Sequence, residues 1–201
     1  MVDNSKRPRG RPRAFDENTA LDAAFKLFWT KGFDATTVDD LAEAMQIGRP
    51  SMYNAFGDKE AIFMKAMERY LETVASQPKG PLSAPQVRDA IRAYLEGVAE
   101  YATTSESCRG CLIGSVASVV DNPRVRAYVA AAVQLGADAV AARLEQAIAD
   151  GELPADFPVQ ARARRAINGM IAISTRGRQG ASFAQLKEDA ADVTQTVFAA
   201  A

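Results

Sequence analysis

A chain of 201 residues with 48% apolar side chains holds enough hydrophobic material for a sizeable core in one or two domains. It has no histidine, which excludes Ser-His-Asp and Cys-His catalysis and most zinc sites, and its two cysteines are too few for a disulfide-stapled scaffold. The 24 basic and 25 acidic side chains leave a net charge of −1, so affinity for a polyanion depends on where the charges lie rather than on their sum.

The charges lie unevenly. Lys6, Arg7, Arg9, Arg11 and Arg13 stand against Asp3 alone, giving residues 1–13 a net charge of +4 and the remainder −5. That asymmetry suits a flexible arm adding phosphate or groove contacts to a DNA-binding body. Pro8-Arg9-Gly10-Arg11-Pro12 resembles the core of an AT-hook, whose extended backbone presents arginines, here Arg9 and Arg11, to a narrow A·T minor groove. The plainer alternative is a disordered, solubilising leader. The segment lacks the long apolar region of a signal peptide, and no export signal is read in it.

A helix is predicted over 17–31, with Leu21, Ala24, Phe25 and Phe28 on one face. Thr37 then serves as N-cap for a short helix whose inward positions are Val38, Leu41, Ala42 and Met45. Ile47 plugs the turn, and Arg49-Pro50 opens a second helix because proline is tolerated in a first turn. Met52 and Phe56 face inward there, leaving Arg49, Ser51, Tyr53 and Asn54 for the outer face. Gly57 ends that helix, and Asp58 caps the next, with Lys59 and Glu60 in its first turn. Two short helices around a tight turn read as a helix-turn-helix, although an ordinary helical corner has the same spacing.

The helix at 59–76 buries Ile62, Phe63, Ala66, Met67, Tyr70 and Val74, and as the direct continuation of the second short helix it is the natural lever to the rest of the chain. Gln77 to Pro85 breaks the pattern. Further helices are predicted near 85–103, 111–121, 123–149, 158–177 and 183–199, punctuated by Asn122-Pro123, Asp150-Gly151, Pro154, Pro158 and the Gly177 to Gly180 stretch. No strand pattern or internal repeat competes, and no apolar run reaches the roughly 18 residues that span a bilayer. Ala166, Ile167, Gly169, Met170 and Ile173 make one apolar face, and Leu186, Ala190, Val193, Val197 and Phe198 another. Paired with the same faces of a second chain they form a four-helix interface; otherwise they complete a monomer core. Cys108-Arg109-Gly110-Cys111 is the one segment with reactive potential, since a cation beside a thiol lowers its pKa.

The runs Ala24 to Thr37 and Ser51 to Ala61 resemble the N-terminal domain of TetR-family transcriptional regulators, over about residues 14–65. The resemblance implies an all-α homodimer: after the basic arm that charge marks at 1–13, a three-helix helix-turn-helix domain at 14–60 and a C-terminal helical ligand-binding and dimerisation domain at 61–201, paired through the helices near 158–177 and 183–199. By position, Thr37, Tyr53 and Lys59 are expected to hold phosphates and Arg49, Pro50, Ser51 and Asn54 to meet base edges. Two residues depart from the family pattern: Gln46 stands where glycine is usual, and Gly48 where a hydroxyl residue is frequent. Gly110-Cys111-Leu112 looks like a feature of one TetR subgroup, with Cys111 lining the cavity.

The expected function is a cytoplasmic, ligand-responsive repressor released from a palindromic double-stranded operator by a small molecule, with no enzymatic activity, cofactor, metal or membrane partner. The alternatives are a thiol-based redox or electrophile sensor using Cys108 and Cys111, a thiol oxidoreductase on the same pair, and an architectural DNA-binding protein working through its arm.

Overall fold

The computed structural model describes residues 15–75, 82–104, 110–111, 113 and 120–199. The basic arm with Arg9 and Arg11, Cys108, and most of the helix expected at 111–121 lie outside the described residues. Among the described residues there are eight helices and no strand: α1 (Glu17–Lys31), α2 (Val38–Ala44), α3 (Arg49–Phe56), α4 (Lys59–Ala75), α5 (Val87–Thr103), α6 (Pro123–Ala149), α7 (Val159–Arg178) and α8 (Phe183–Phe198).

Local chemistry explains most of the boundaries. The Asp16 carboxylate accepts from the Thr19 N–H at 2.7 Å and starts α1. Thr37 and Asp40 form a reciprocal capping box on α2, as Ser182 and Gln185 do on α8. The Asn122 carboxamide oxygen accepts from the N–H groups of Arg124 and Val125, both at 3.0 Å, with Pro123 in the first turn of α6. Each such cap contributes about 1 kcal/mol. α5 begins at Val87, two residues later than expected, because Pro85 and the extended Gln86 precede it.

Packing divides the helices between two cores. The first joins α1, α2, α3 and α4 to the N-terminal half of α6 through Phe28, Leu41, Met52, Ile62, Phe63, Val125 and Val129. The second joins α5, the rest of α6, α7 and α8 through Ile91, Leu95, Val140, Leu144, Ala166, Ile173, Leu186 and Val197. α6, with 27 residues and so about 40 Å long at a helical rise, belongs to both. It is also long and apolar enough, by length and composition alone, to cross a membrane. No unbroken apolar run of that length occurs in it, since charges such as Arg126 and Asp138 interrupt the run while leaving the average apolar. Its buried side packs against the other helices of both cores.

The apolar faces of the last two helices are already used within the protomer. Ala166, Ile167, Gly169, Met170 and Ile173 of α7 are buried, as are Leu186, Ala190 and Val197 of α8, while Val193 and Phe198 pack half-buried on the same core. Amphipathic spacing reveals that a face is covered, not what covers it, and here the cover is α5, α6 and the other helix of the pair. The exposed positions include Ala161, Arg164, Asn168, Ala172 and Arg178 on α7 and Phe183, Ala184 and Lys187 on α8.

Gly169 permits the close approach of α7 and α8, since a Cβ there would overlap the Val193 methyl groups. Gly169→Ala should therefore lower stability by roughly 1–3 kcal/mol through overpacking. Thermal melting checks this, and Val193→Ala in the same chain should restore part of the loss.

Candidate nucleic-acid interface

The turn between α2 and α3 is closed by backbone geometry. The Ile47 N–H donates to the Ala42 carbonyl and the Gln46 N–H to the Glu43 carbonyl, both at 3.1 Å. That is a Schellman closure, with Gln46 at the left-handed position where glycine ordinarily stands. Gln46 adopts φ of 55°, so the conformation is reached without glycine's freedom. A side chain in that region costs about 1–2 kcal/mol, part of which glycine's looser unfolded state cancels. Gln46→Gly is expected to stabilise the head by about 1 kcal/mol, measurable by denaturant titration.

α3 is held from beneath and open above. Met52 and Phe56 are fully buried, and Phe15 packs its ring 5.9 Å from that of Phe56. Gly57 at φ 87° ends the helix, and the Lys65 ammonium from α4 donates to the Ala55 carbonyl at 3.3 Å. The outer face carries Arg49, Pro50, Ser51, Tyr53 and Asn54, all exposed, with Tyr53 at 46%. Gly48 provides no side-chain cap, so the first turn of α3 keeps unpaired N–H groups directed at whatever lies before it.

Three neighbours extend this face. The Thr37 hydroxyl oxygen accepts from the Asp40 N–H at 3.1 Å, which leaves its own proton available as a donor. Asp40 pairs with Lys31 and accepts from the Thr37 N–H at 2.7 Å; the lysine first, and the threonine bonds next, hold its carboxyl well below the usual range. Lys59, half-buried, sets its ammonium 4.4 Å from the centre of the Phe33 ring and 3.4 Å from the Asp34 carbonyl. Burial lowers its pKa, opposed by the charges of Asp34 and Asp40.

Arg49 is paired with Asp39 across the turn, a partnership that sequence reading missed because ten residues and a change of direction separate them. Both side chains are largely exposed, and such pairs contribute about 0.2–1 kcal/mol. DNA binding through Arg49 must break or share that pair. Asp39→Asn, which also removes a negative charge from the face, is expected to raise DNA affinity several-fold, and a binding titration measures it.

α4 ties this head to the remainder. Its Glu60 accepts from the Asn122 carboxamide at 2.6 Å and from Arg124 at 3.3 Å, both at the start of α6, while the Asp34 carboxylate accepts from the Asp121 N–H at 3.1 Å. Cys111 is half-buried, and its thiol is hydrogen-bonded with the Tyr70 hydroxyl of α4, which is joined in turn to Tyr101. Burial first, and then these neighbours, raise the Tyr70 pKa far above its ordinary value. No group of three or more Cys, Asp or Glu side chains able to hold a metal occurs among the described residues.

The model of bacterial regulatory proteins of the tetR family matches residues 20–66, and that of the tetracyclin repressor-like C-terminal domain matches residues 88–196. The chain belongs to the TetR family. The family is one of transcriptional regulators rather than enzymes, and this TetR-family protein spans about half the length of the first curated relatives it matches. It is 36% identical over 110 residues to the HTH-type transcriptional repressor ComR of Escherichia coli (strain K12), a match spanning 54% of this chain and 52% of that one. Over 192 residues, 94% of this chain and 98% of the other, it is 27% identical to the HTH-type transcriptional regulator YezE of Bacillus subtilis (strain 168). A solved structure of the TetR-family regulator CifR, a cysteine mutant complexed with a 26-base-pair operator, superposes with a TM-score of 0.86 and 30% identity, covering 92% of this chain and 98% of that chain.

Proposed function

We propose that this TetR-family regulator is a homodimeric, cytoplasmic repressor that reads a palindromic operator and releases it when a small molecule binds the C-terminal half. The observation that carries the reading is the two-sided character of α3: Met52 and Phe56 anchor it in the first core while Arg49, Pro50, Ser51, Tyr53 and Asn54 stand exposed together. Arg49, Pro50, Ser51 and Asn54 meet base edges, and Thr37, Tyr53 and Lys59 hold phosphates. The arm carrying Arg9 and Arg11 adds minor-groove contacts. CifR, of the same fold, is complexed with operator DNA, which supports the same use of α3 here.

Two recognition helices reading a palindrome need a two-fold axis. α7 and α8 pair the protomers through their exposed faces, with residues 14–60 as the reading head and 61–201 as the responding half. α4 is the lever, because it continues α3 through Gly57 and Asp58 and holds the start of α6 through Glu60. Weakening operator binding 10²-fold takes about 2.7 kcal/mol of differential effector affinity between the two states.

The test is selection of duplexes from a randomised pool, followed by titration of the full chain and of a chain lacking residues 1–13. An operator reader enriches a palindrome; without its arm it keeps the base preference, loses affinity and shows a shallower salt dependence. An architectural binder enriches nothing and loses nearly all affinity with the arm.

The hydrogen bond between Cys111 and Tyr70 favours a second reading, in which the effector is an electrophile that alkylates that thiol. The adduct removes the bond to α4 and so acts on the lever. Iodoacetamide should then release the selected duplex from the native chain and not from Cys111→Ser; equal release from both removes this reading.

A further inference from the structure

Arg178, the last residue of α7, reaches from the second core onto the reading head. Its guanidinium donates to the Trp29 carbonyl at 2.9 Å and to the Thr30 carbonyl at 3.4 Å. Both carbonyls belong to the final turn of α1, whose last C=O groups have no partner within the helix and whose dipole end is negative. A planar guanidinium bridging two such oxygens makes charge-assisted bonds of fixed geometry, which a lysine's point charge does not reproduce.

The same turn is gripped by its side chain. Trp29, 5% exposed, stacks on Tyr101 of α5 with ring centres 5.2 Å apart and lies edge-on to Tyr70 of α4 at 6.2 Å. Tyr70 stacks in turn on Phe25 of α1 at 4.7 Å. The head is thus fastened at two separate places. One is the packing of α1 to α4 on the start of α6, with Glu60, Asn122 and Arg124 at its edge; the other is the end of α1 against α5 and α7. An attachment at one place leaves a body free to pivot, whereas a second removes that freedom.

We propose that Arg178 is a positioning residue for DNA reading: by clamping the end of α1 to α7, it sets the separation of the two recognition helices and hence the half-site spacing that the regulator accepts. The inference rests on the proposed pairing through α7 and α8, which places this helix at the dimer axis. With the clamp, a duplex whose half-sites are moved by one base pair, about 3.4 Å along the axis, meets only one head in register. Without it the heads pivot and both engage.

The experiment compares the full-length native chain with Arg178→Ala and Arg178→Lys, using the duplex selected by the native chain and the same duplex with one base pair inserted at its centre. The ratio of the two affinities is read by titration, and the emission of Trp29, the single tryptophan of the chain, reports the seam directly. In Arg178→Ala the ratio should fall about tenfold, the worth of one charge-assisted hydrogen bond, with Trp29 emission shifted to the red and the dimer intact by sedimentation. Arg178→Lys should fall between, since one ammonium meets one carbonyl. If Arg178→Ala does not fold, Arg178→Lys carries the test. An unchanged ratio in a folded variant overturns the proposal while leaving operator reading in place. If the native chain enriches no duplex, the operator reading itself fails and the clamp's role in spacing falls with it.

Discussion

Replacing Arg49 or Asn54 with alanine is expected to weaken operator binding by roughly 1–3 kcal/mol each and to relax base preference at one position per half-site. The magnitude follows from the chemistry of the two side chains. A guanidinium reads guanine through two parallel hydrogen bonds, and a carboxamide reads adenine in the same way, so removing either leaves base-edge groups unpaired in a desolvated groove. The effect depends on rigidity, because a side chain on a mobile helix would lose much of that energy to ordering. α3 meets this condition: Met52 and Phe56 are buried beneath it, Gly57 ends it, and Lys65 holds the Ala55 carbonyl. Lys59→Ala should behave differently, weakening binding to all sequences alike and reducing the salt dependence. Fluorescence anisotropy with selected and scrambled duplexes at several salt concentrations separates the two. Equal losses on both duplexes for Arg49→Ala would move that residue to the phosphate group.

The largest effect on stability is expected at Phe28. Its side chain is fully buried at the centre of the first core, 5.1 Å from the Phe63 ring in an edge arrangement and 5.9 Å from that of Phe33. Truncating such a ring leaves a cavity its neighbours refill only in part, and Phe28→Ala should cost about 3–5 kcal/mol. Whole domains are stable by about 5–15 kcal/mol, so the head should melt near ambient temperature. The second core shares none of these residues, and its helices α5, α7 and α8 should survive. Calorimetry should show an early transition split from the main one, with operator binding lost and helical content largely kept. A single cooperative transition shifted by a few degrees would show that α6 couples the two cores into one unit.

The elements legible in the sequence are those governed by neighbours close along the chain. Asp16, Thr37, Asn122 and Ser182 mark helix starts by side-chain bonds spanning two or three residues, and α1 and α6 run over the expected ranges. The helix-turn-helix was legible for the same reason, since its caps, its turn and the inward Leu41, Met45, Met52 and Phe56 all fall within twenty residues. What the chain did not disclose depends on contacts between distant residues. α7 and α8 carry apolar stripes that suit a dimer or a core equally, and only the placement of α5 and α6 decides that the stripes are internal. The pairing of Arg49 with Asp39 follows from how the turn folds back. The bond from Arg178 to Trp29 spans 149 residues, and no periodicity announces it. Gln46 is intermediate: the position of the turn was readable, whereas its adoption of the left-handed conformation required the backbone.

Methylation interference on duplexes selected by the native chain, repeated with Arg49→Ala, tests most directly whether the exposed flank of α3 reads bases. Two interfering guanine clusters about one helical turn apart on one face of the duplex, each losing a guanine N7 contact in Arg49→Ala, is the expected result. Enrichment of no sequence, or an interference pattern identical in the two proteins, contradicts the assignment of this helix to the major groove.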